Sequence, residues 1–250
     1  MTPSKFEQTF PIPTHDFDLH SRMRPAAFFE LAQELAMGGS TMIGVPDNVL
    51  GPRGLAWILL RMHVEYDRMP RLYEDVHFQT WHAGITGPLF IRDYKFLSTD
   101  GETLVRASSS WALMERETRS LARPGRISDI LTAEPQHPDR AVSFNPDKVI
   151  WPEGAGPDLV LPRRVLYSDV DHLGHANNTR YAVWAYDALP PEVTFSRNLK
   201  SFSINYNREL RPSDTVTLRR VQTGPASWIV EGVHDEVQSF ICMMEFDESL

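Results

Sequence analysis

The sequence contains very little cysteine and no long apolar segment. Its single cysteine, Cys242, excludes a disulfide within the chain, so nothing favours an extracellular protein. Cys242 lies in the apolar run Phe-Ile-Cys-Met-Met, which favours a small buried side chain over a nucleophile. No stretch approaches the roughly 18–20 apolar residues that a membrane-spanning helix needs, and the amino terminus lacks the apolar core of a signal peptide. We therefore expect a cytoplasmic protein without a membrane span.

The chain also lacks an excess of positive charge. It has 33 Asp and Glu residues against 25 Lys and Arg residues, and a net charge of −8 at pH 7. Nucleic-acid-binding domains usually carry a basic patch, so we expect no nucleic-acid partner. The sequence contains neither a phosphate-binding glycine loop nor a dinucleotide fingerprint, and no cofactor is expected.

The order of predicted elements occurs twice. The first half predicts a short strand, a helix that begins at Pro25 and then four strands. After a proline-rich stretch, the second half predicts a strand ending at Tyr167, a helix and four more strands, the first of them over Phe202–Glu209. Asp18 precedes Phe28 by ten residues, and Asp171 precedes Tyr181 by the same number. This spacing favours an internal duplication, with a helix on an antiparallel sheet in each half.

A polar segment before the second predicted helix concentrates acid, base and amide side chains. Residues 169–181 read DVDHLGHANNTRY, and Asp171 and His175 lie in its glycine-containing loop. Asn177 and Asn178 are suitable caps for the helix that follows. The free N–H groups and positive dipole of a helix start suit the oxyanion formed when water attacks an acyl carbonyl. A neighbouring acid or base would complete a hydrolytic site.

The residues alone leave another interpretation of this segment open. Asp169 and Asp171 could cap turns, while His175 packs beneath the loop. A metal site is not expected, because the spacing of these side chains matches no zinc motif.

The pattern Asp-x-Asp-x-x-Gly-His-x-Asn-Asn-x-x-Tyr before a helix resembles the characteristic loop of hotdog-fold thioesterases. From about Phe10 to Phe246 the chain resembles the acyl-carrier-protein thioesterases, which contain two hotdog domains. The first half carries that family's Trp-x-x-x-Arg as Trp57 and Arg61. Other similar positions are Thr80-Trp81, Arg92-Asp93 and Ser109–Trp111.

The resemblance implies an α+β fold of two tandem hotdog domains, each with a long helix packed on an antiparallel β-sheet. We expect an N-terminal hotdog domain over residues 1–122, which binds the acyl chain and acts as a scaffold. A linker over 123–160 and a catalytic C-terminal hotdog domain over 161–250 are expected to follow.

The resemblance also assigns roles to residues. The family's catalytic Asp and His correspond to Asp171 and His175, and its Glu corresponds to Glu209, expected on a strand after the second helix. The substrate-binding residues implied are Asn177, Asn178, Tyr181, Trp57 and Arg61.

Two positions depart from the family pattern. Leu210 stands where a cysteine often follows the Glu, which excludes a cysteine nucleophile there. Leu173 stands where the family has Asn, and a leucine side chain cannot orient a water or bind a thioester carbonyl. Losing one such hydrogen bond could cost on the order of 10²–10³ in rate and leave the base in place.

The first half lacks the same reactive groups. Arg22 stands where the second half has His175, and Met69 stands where it has Glu209. Only the second half can therefore carry out this chemistry.

The implied activity is hydrolysis of fatty acyl-acyl carrier protein to free fatty acid and carrier protein, in fatty acid biosynthesis, by direct attack of water. The alternatives are an acyl-coenzyme A thioesterase and a degenerate hotdog protein that binds acyl thioesters without hydrolysing them. The partners implied are acyl carrier protein and a fatty acyl thioester, and homodimer formation is left open. Because the carrier is acidic, the basic residues considered for docking are Arg163, Arg164, Arg180, Arg197, Lys200, Arg208 and Arg211.

Overall fold

The computed structural model describes residues 5–248, and the chain divides between Pro146 and Asp147 into two compact units. Each unit contains one antiparallel sheet and a principal helix. No helix within the described residues is long and apolar enough to cross a membrane.

The first unit has an antiparallel sheet in the order β1-β3-β4-β5-β2, with the short strand β6 paired to β5. Its elements are β1 (Phe6–Pro11), α1 (Pro25–Met42), α2 (Asp47–Leu50), β2 (Leu55–Tyr66), β3 (Asp75–Thr86), β4 (Leu89–Ser98), β5 (Thr103–Glu115) and β6 (Leu121–Ala122).

The second unit repeats this topology in the order β7-β9-β10-β11-β8, again with antiparallel pairs. Its elements are β7 (Leu159–Arg164), α3 (Asn178–Asp187), α4 (Pro191–Ser196), β8 (Leu199–Tyr206), β9 (Thr215–Gly224), β10 (Ser227–His234) and β11 (Val237–Phe246).

Each principal helix covers its own sheet with a buried aromatic side chain. In the first unit Phe28 of α1 lies with its ring centroid 5.0 Å from that of Phe96 on β4. In the second unit Tyr181 of α3 stacks on Phe240 of β11, with the centroids 4.7 Å apart. All four rings are at most 2% exposed, so each helix is fixed to its sheet by buried apolar surface.

The duplication extends to single hydrogen bonds. The Asp18 N–H donates to the Arg22 carbonyl at 2.8 Å, and 153 residues later the Asp171 N–H donates to the His175 carbonyl at 2.9 Å. Gly174 has φ +81°, and Ser21 adopts the same left-handed conformation with φ +57° in the first unit. The two units therefore share one loop geometry.

The segment predicted as the linker 123–160 is packed along much of its length. Ile127 and Leu131 are buried in a cluster with Leu55 of the first unit, and Arg140 pairs with the buried Asp93 at 2.8 Å. Val149 packs in a cluster of the second unit. Proline and weak periodicity predicted a long linker here, and its two parts pack against the units to which they belong.

Candidate active site in the second unit

Main-chain hydrogen bonds join the loop that leads into α3 to the connection between β8 and β9. The Ala176 N–H donates to the Leu210 carbonyl at 2.8 Å. Nearer β7, the Val165 N–H donates to the Asp214 carbonyl at 2.8 Å, and the Ser213 N–H donates to the Val165 carbonyl at 3.1 Å. The two loops are therefore held side by side independently of their exposed side chains.

Asp169 is a structural part of this loop. Its side chain is fully buried, accepts the Leu166 N–H at 2.8 Å, and lies 3.4 Å from Arg163 and 3.3 Å from Arg180. A buried carboxylate needs such partners to offset the loss of hydration. Asp169 thus ties β7 to α3, and its bond from the Leu166 N–H caps the intervening turn.

Asp171 shapes the turn that carries the histidine. Its carboxylate accepts the Leu173 N–H at 2.9 Å, and its carbonyl accepts the Gly174 N–H at 3.0 Å. Its N–H also donates to the His175 carbonyl. Leu173, within this turn, is 62% exposed. The residue that departs from the family pattern therefore points into solvent.

His175 and Glu209 form the central pair of the site. Their Nε2 and Oε2 atoms lie 3.3 Å apart, with 26% and 40% of the two side chains exposed. Glu209 was expected on a strand, but β8 ends at Tyr206 and Glu209 lies three residues beyond it. The strand prediction was wrong there because the chain turns away after Tyr206, where the Asn207 and Arg208 N–H groups both donate to the Ser239 carbonyl.

The start of α3 uses one of the two asparagines as its cap. Asn177 is the N-cap, and its side-chain oxygen accepts the Thr179 N–H at 2.9 Å. Asn178 is the first residue of the helix and is half-buried. The N-cap lies two residues beyond His175, where the dipole of α3 favours negative charge.

Tyr181 is 2% exposed, so its phenol faces the interior of the unit. Burial is the main cause that raises the pKa of Tyr181, and the charges of Glu209 and Asp171 raise it further, against a hydrogen bond with the Leu210 backbone. Tyr181 is therefore a neutral phenol at physiological pH, within electrostatic reach of both carboxylates. A sequence motif cannot show this burial, which arises from the packing of α3 on β11.

Trp57 and Arg61 belong to the first unit. The Trp57 indole donates to the Val45 carbonyl at 3.0 Å and packs edge-on against Phe90, 4.8 Å between centroids. Arg61 donates to the Pro146 carbonyl at 3.4 Å. Both contacts are formed within that unit, separately from the pair of His175 and Glu209.

Metal ligation is not supported by the arrangement of side chains. Among residues 5–248, no three His, Cys, Asp or Glu side chains are grouped so that they could hold a metal ion.

Comparison with known proteins identifies the family. The model of the acyl-ACP thioesterase N-terminal domain matches residues 3–133, and that of the C-terminal domain matches residues 158–241. A chloroplastic acyl-[acyl-carrier-protein] hydrolase of Cuphea viscosissima is 27% identical over 215 residues, which cover 82% of this chain and 52% of that protein. A palmitoyl-acyl carrier protein thioesterase of Arabidopsis thaliana is 26% identical over 220 residues, with the same coverage. The chain thus spans about half the length of these curated relatives.

Solved structures share the fold along nearly the whole chain. The 12:0-ACP thioesterase from Umbellularia californica aligns with a TM-score of 0.89 and 21% identity, covering 99% of this chain and 98% of its own. An acyl-ACP thioesterase from Bacteroides thetaiotaomicron aligns with a TM-score of 0.85 and 22% identity, covering 98% of both chains. These alignments confirm the predicted α+β class with tandem hotdog domains. With both family models matched in sequence order, the chain belongs to the acyl-acyl carrier protein thioesterase family.

Proposed function

We propose that this protein hydrolyses the thioester of fatty acyl-acyl carrier protein and releases free fatty acid and carrier protein. The observation that carries the proposal is the pair of His175 and Glu209, 3.3 Å apart, in the unit that matches the C-terminal domain of the family. Asp171 adjoins this pair through its main-chain bond to His175. Asn177, the N-cap of α3, lies two residues beyond His175.

The proposed reaction is a direct attack by water. As the water oxygen bonds to the acyl carbon, Glu209 or Asp171 accepts its proton, and His175 orients the water or relays the proton. The helix start stabilises the oxyanion that forms. The carbon–sulfur bond then breaks and the thiolate is protonated, which gives a fatty acid and the carrier thiol. A thioester is electrophilic enough for this route without a metal, a cofactor or a covalent intermediate.

In this proposal the first unit binds the acyl chain and acts as a scaffold. Burial contributes about 0.8 kcal/mol per methylene, so a long acyl chain needs an apolar site. Trp57 and Arg61 in the first unit, with Asn177 and Asn178 in the second, are the substrate-binding residues proposed. Tyr181, which is 2% exposed, is the buried member of this proposed set.

The contacts of the basic residues reduce the number of candidates for docking the carrier protein. Arg163 and Arg180 bind Asp169, and Arg197 donates to the Pro225 carbonyl at 3.0 Å. Arg164, Arg208, Arg211 and Lys200 are exposed, and we propose that they meet the acidic carrier.

A role in fatty acid biosynthesis in the cytoplasm is also proposed. The single cysteine, Cys242, is fully buried, which suits a protein that needs no oxidising compartment. Cell fractionation and size-exclusion chromatography would establish the compartment and whether the protein forms a homodimer.

The decisive experiment measures release of free fatty acid from a panel of acyl-acyl carrier proteins and acyl-coenzyme A esters. We expect hydrolysis by the parent protein, and rates at least about 10²-fold lower for Asp171→Asn, His175→Gln and Glu209→Gln. Arg22→Gln, at the position that corresponds to His175 in the first unit, is the matched control and should keep most of the activity. Absence of hydrolysis with every substrate would refute the proposal.

The panel also separates the alternatives. Faster hydrolysis of acyl-coenzyme A than of any acyl-carrier protein would make the protein an acyl-coenzyme A thioesterase. Tight binding of acyl thioesters without turnover, with activity gained only in Leu173→Asn, would show a degenerate binding protein.

A further inference from the structure

We infer that Asn207 and Gln238 are positioning residues, which connect the buried carboxylate of Glu231 to the loop that carries Glu209. The Asn207 side chain donates to Gln238 Oε1 at 2.8 Å, and the Gln238 side chain donates to Glu231 Oε2 at 2.6 Å. Asn207 lies two residues before Glu209, the partner of His175. The kinetic consequences of the inference rest on the proposed function, whereas the contacts that carry it do not.

A β-bulge on β11 provides the main-chain anchor of this loop. The ladder between β10 and β11 shifts register after Gly232, and Ser239 is the extra residue. The Ser239 carbonyl accepts the N–H groups of Asn207 and Arg208, at 2.9 and 3.0 Å. Glu209 follows directly, so the place where its loop is attached to β11 determines where its side chain begins.

The carboxylate of Glu231 fixes the direction of both amide contacts. An ionised carboxylate only accepts hydrogen bonds, so Gln238 presents its Nε2 to Glu231 and keeps its Oε1 for Asn207. Glu231 is 4% exposed, and its Oε1 lies 3.2 Å from Arg219, which is directly opposite on β9. A buried ion pair therefore holds one end of a hydrogen-bond network that reaches the loop at Asn207.

The first unit has the same bulge and the same main-chain anchor. Leu104 is the extra residue there, and its carbonyl accepts the N–H groups of Asp67 and Arg68 at 3.0 and 3.1 Å. Asp67 occupies the position of Asn207, but its carboxylate accepts a hydrogen bond from Arg106 at 3.0 Å. The anchor is thus common to both units, and the side-chain contacts differ.

The other members of the network also differ between the units. From the pairing of the strands, Gln238 corresponds to Thr103 and Glu231 corresponds to Lys95. A lysine offers no acceptor, so the direction that Glu231 imposes has no equivalent at Lys95. The network therefore accompanies Glu209 rather than the loop geometry that the two units share.

The kinetic test reverses one difference between the units with variants of nearly the same shape. Asn207→Asp places a carboxylate oxygen against Gln238 Oε1, which breaks the contact, and Asp67→Asn is the matched change in the first unit. In Asn207→Asp we expect kcat for acyl-thioester hydrolysis to fall about fivefold with KM within about twofold, because the chemical step loses a positioned carboxylate. Asp67→Asn should leave both constants within about twofold of the parent values.

Two further comparisons separate positioning from the added charge. Gln238→Met adds no charge, removes both amide contacts and should lower kcat as Asn207→Asp does. The variant that combines these two changes should be no slower than the slower single variant, because both break one network. In a Glu209→Gln background, Asn207→Asp should have no further effect. Equal effects of Asn207→Asp and Asp67→Asn, or multiplied effects in the combined variants, would overturn the inference.

Crystal structures of the parent and of Asn207→Asp provide a test that does not depend on activity. We expect the separation of His175 Nε2 and Glu209 Oε2 to increase from 3.3 Å to beyond the ~4 Å limit of an ion pair in the variant. An unchanged separation would overturn the inference. A parent protein that hydrolyses no thioester would refute the proposed function, and the two structures would still decide whether Asn207 positions Glu209.

Discussion

In the first unit, both carboxylate oxygens of Asp18 bind Arg22. Oδ2 lies 2.9 Å from Nε and 2.8 Å from Nη2 of the arginine, while Oδ1 accepts the Arg22 N–H at 2.9 Å. Arg22 corresponds to His175, and in the first unit its guanidinium pairs with Asp18, the aspartate that corresponds to Asp171. The first unit keeps the loop, but it has Arg22 and Met69 at the positions of His175 and Glu209.

This difference predicts that replacing Asp171 or Asp18 with alanine has different effects. Asp171→Ala should lower kcat for acyl-thioester hydrolysis at least about 10²-fold. Asp18→Ala should leave kcat within about threefold and lower the free energy of unfolding by about 1 kcal/mol, because it removes acceptors of loop N–H groups. Hydrolysis assays and urea denaturation measure the two effects. Comparable losses of kcat would contradict the assignment of chemistry to the second unit.

Asp169 should behave as a structural residue. Replacing it with Ala leaves Arg163 and Arg180 without their shared buried carboxylate, and we expect a loss of about 3 kcal/mol in the free energy of unfolding. Urea denaturation followed by circular dichroism measures this loss, with Asp171→Ala as the comparison. A change below about 1 kcal/mol would show that the buried contacts contribute little.

The positions of the loops before α1 and α3 could be predicted from the sequence, whereas the packing of residues 123–160 could not. The ten-residue spacing from Asp18 to Phe28 and from Asp171 to Tyr181 placed both loops in register, because main-chain bonds and left-handed positions are local. Burial of Ile127 and attachment of Arg140 to Asp93 depend on residues far apart in the chain, and no local pattern carries them.

Leu173 should matter little for stability or for the chemical step. Its N–H bonds Asp171 whatever the side chain, and the side chain itself is 62% exposed. We expect Leu173→Asn to change kcat by less than about threefold and the free energy of unfolding by less than about 0.5 kcal/mol. A rise in kcat above about 10²-fold would instead show that the amide of the family pattern is required for turnover.

His82 predicts a loss of stability in mild acid. Burial and then the nearby Arg92 lower the pKa of His82 from 6.5 to about 4, against hydrogen bonds with the Thr132 and Ile91 backbone. Between these pH values the unfolded chain binds a proton that the folded protein does not, so stability falls as pH decreases from about 6.5 to about 4. This difference in the pKa of His82 corresponds to a loss of about 3 kcal/mol in the free energy of unfolding.

The control for this pH dependence is His82→Gln, which removes the titrating group. Urea denaturation at several pH values should give a shallower decline for this variant than for the parent. Identical slopes in the two proteins would assign the acid sensitivity to other residues.

The hydrogen bonds of the loop before α3 determine which substitutions that loop tolerates. Positions 172 and 173 are exposed, while Asp171, Gly174 and Ala176 are held by contacts with backbone groups, which any residue other than proline at those two positions would leave intact. The rim of the site can therefore diversify without disturbing its interior. A leucine at position 173 therefore changes the surface of the loop and leaves the pair of His175 and Glu209 in place.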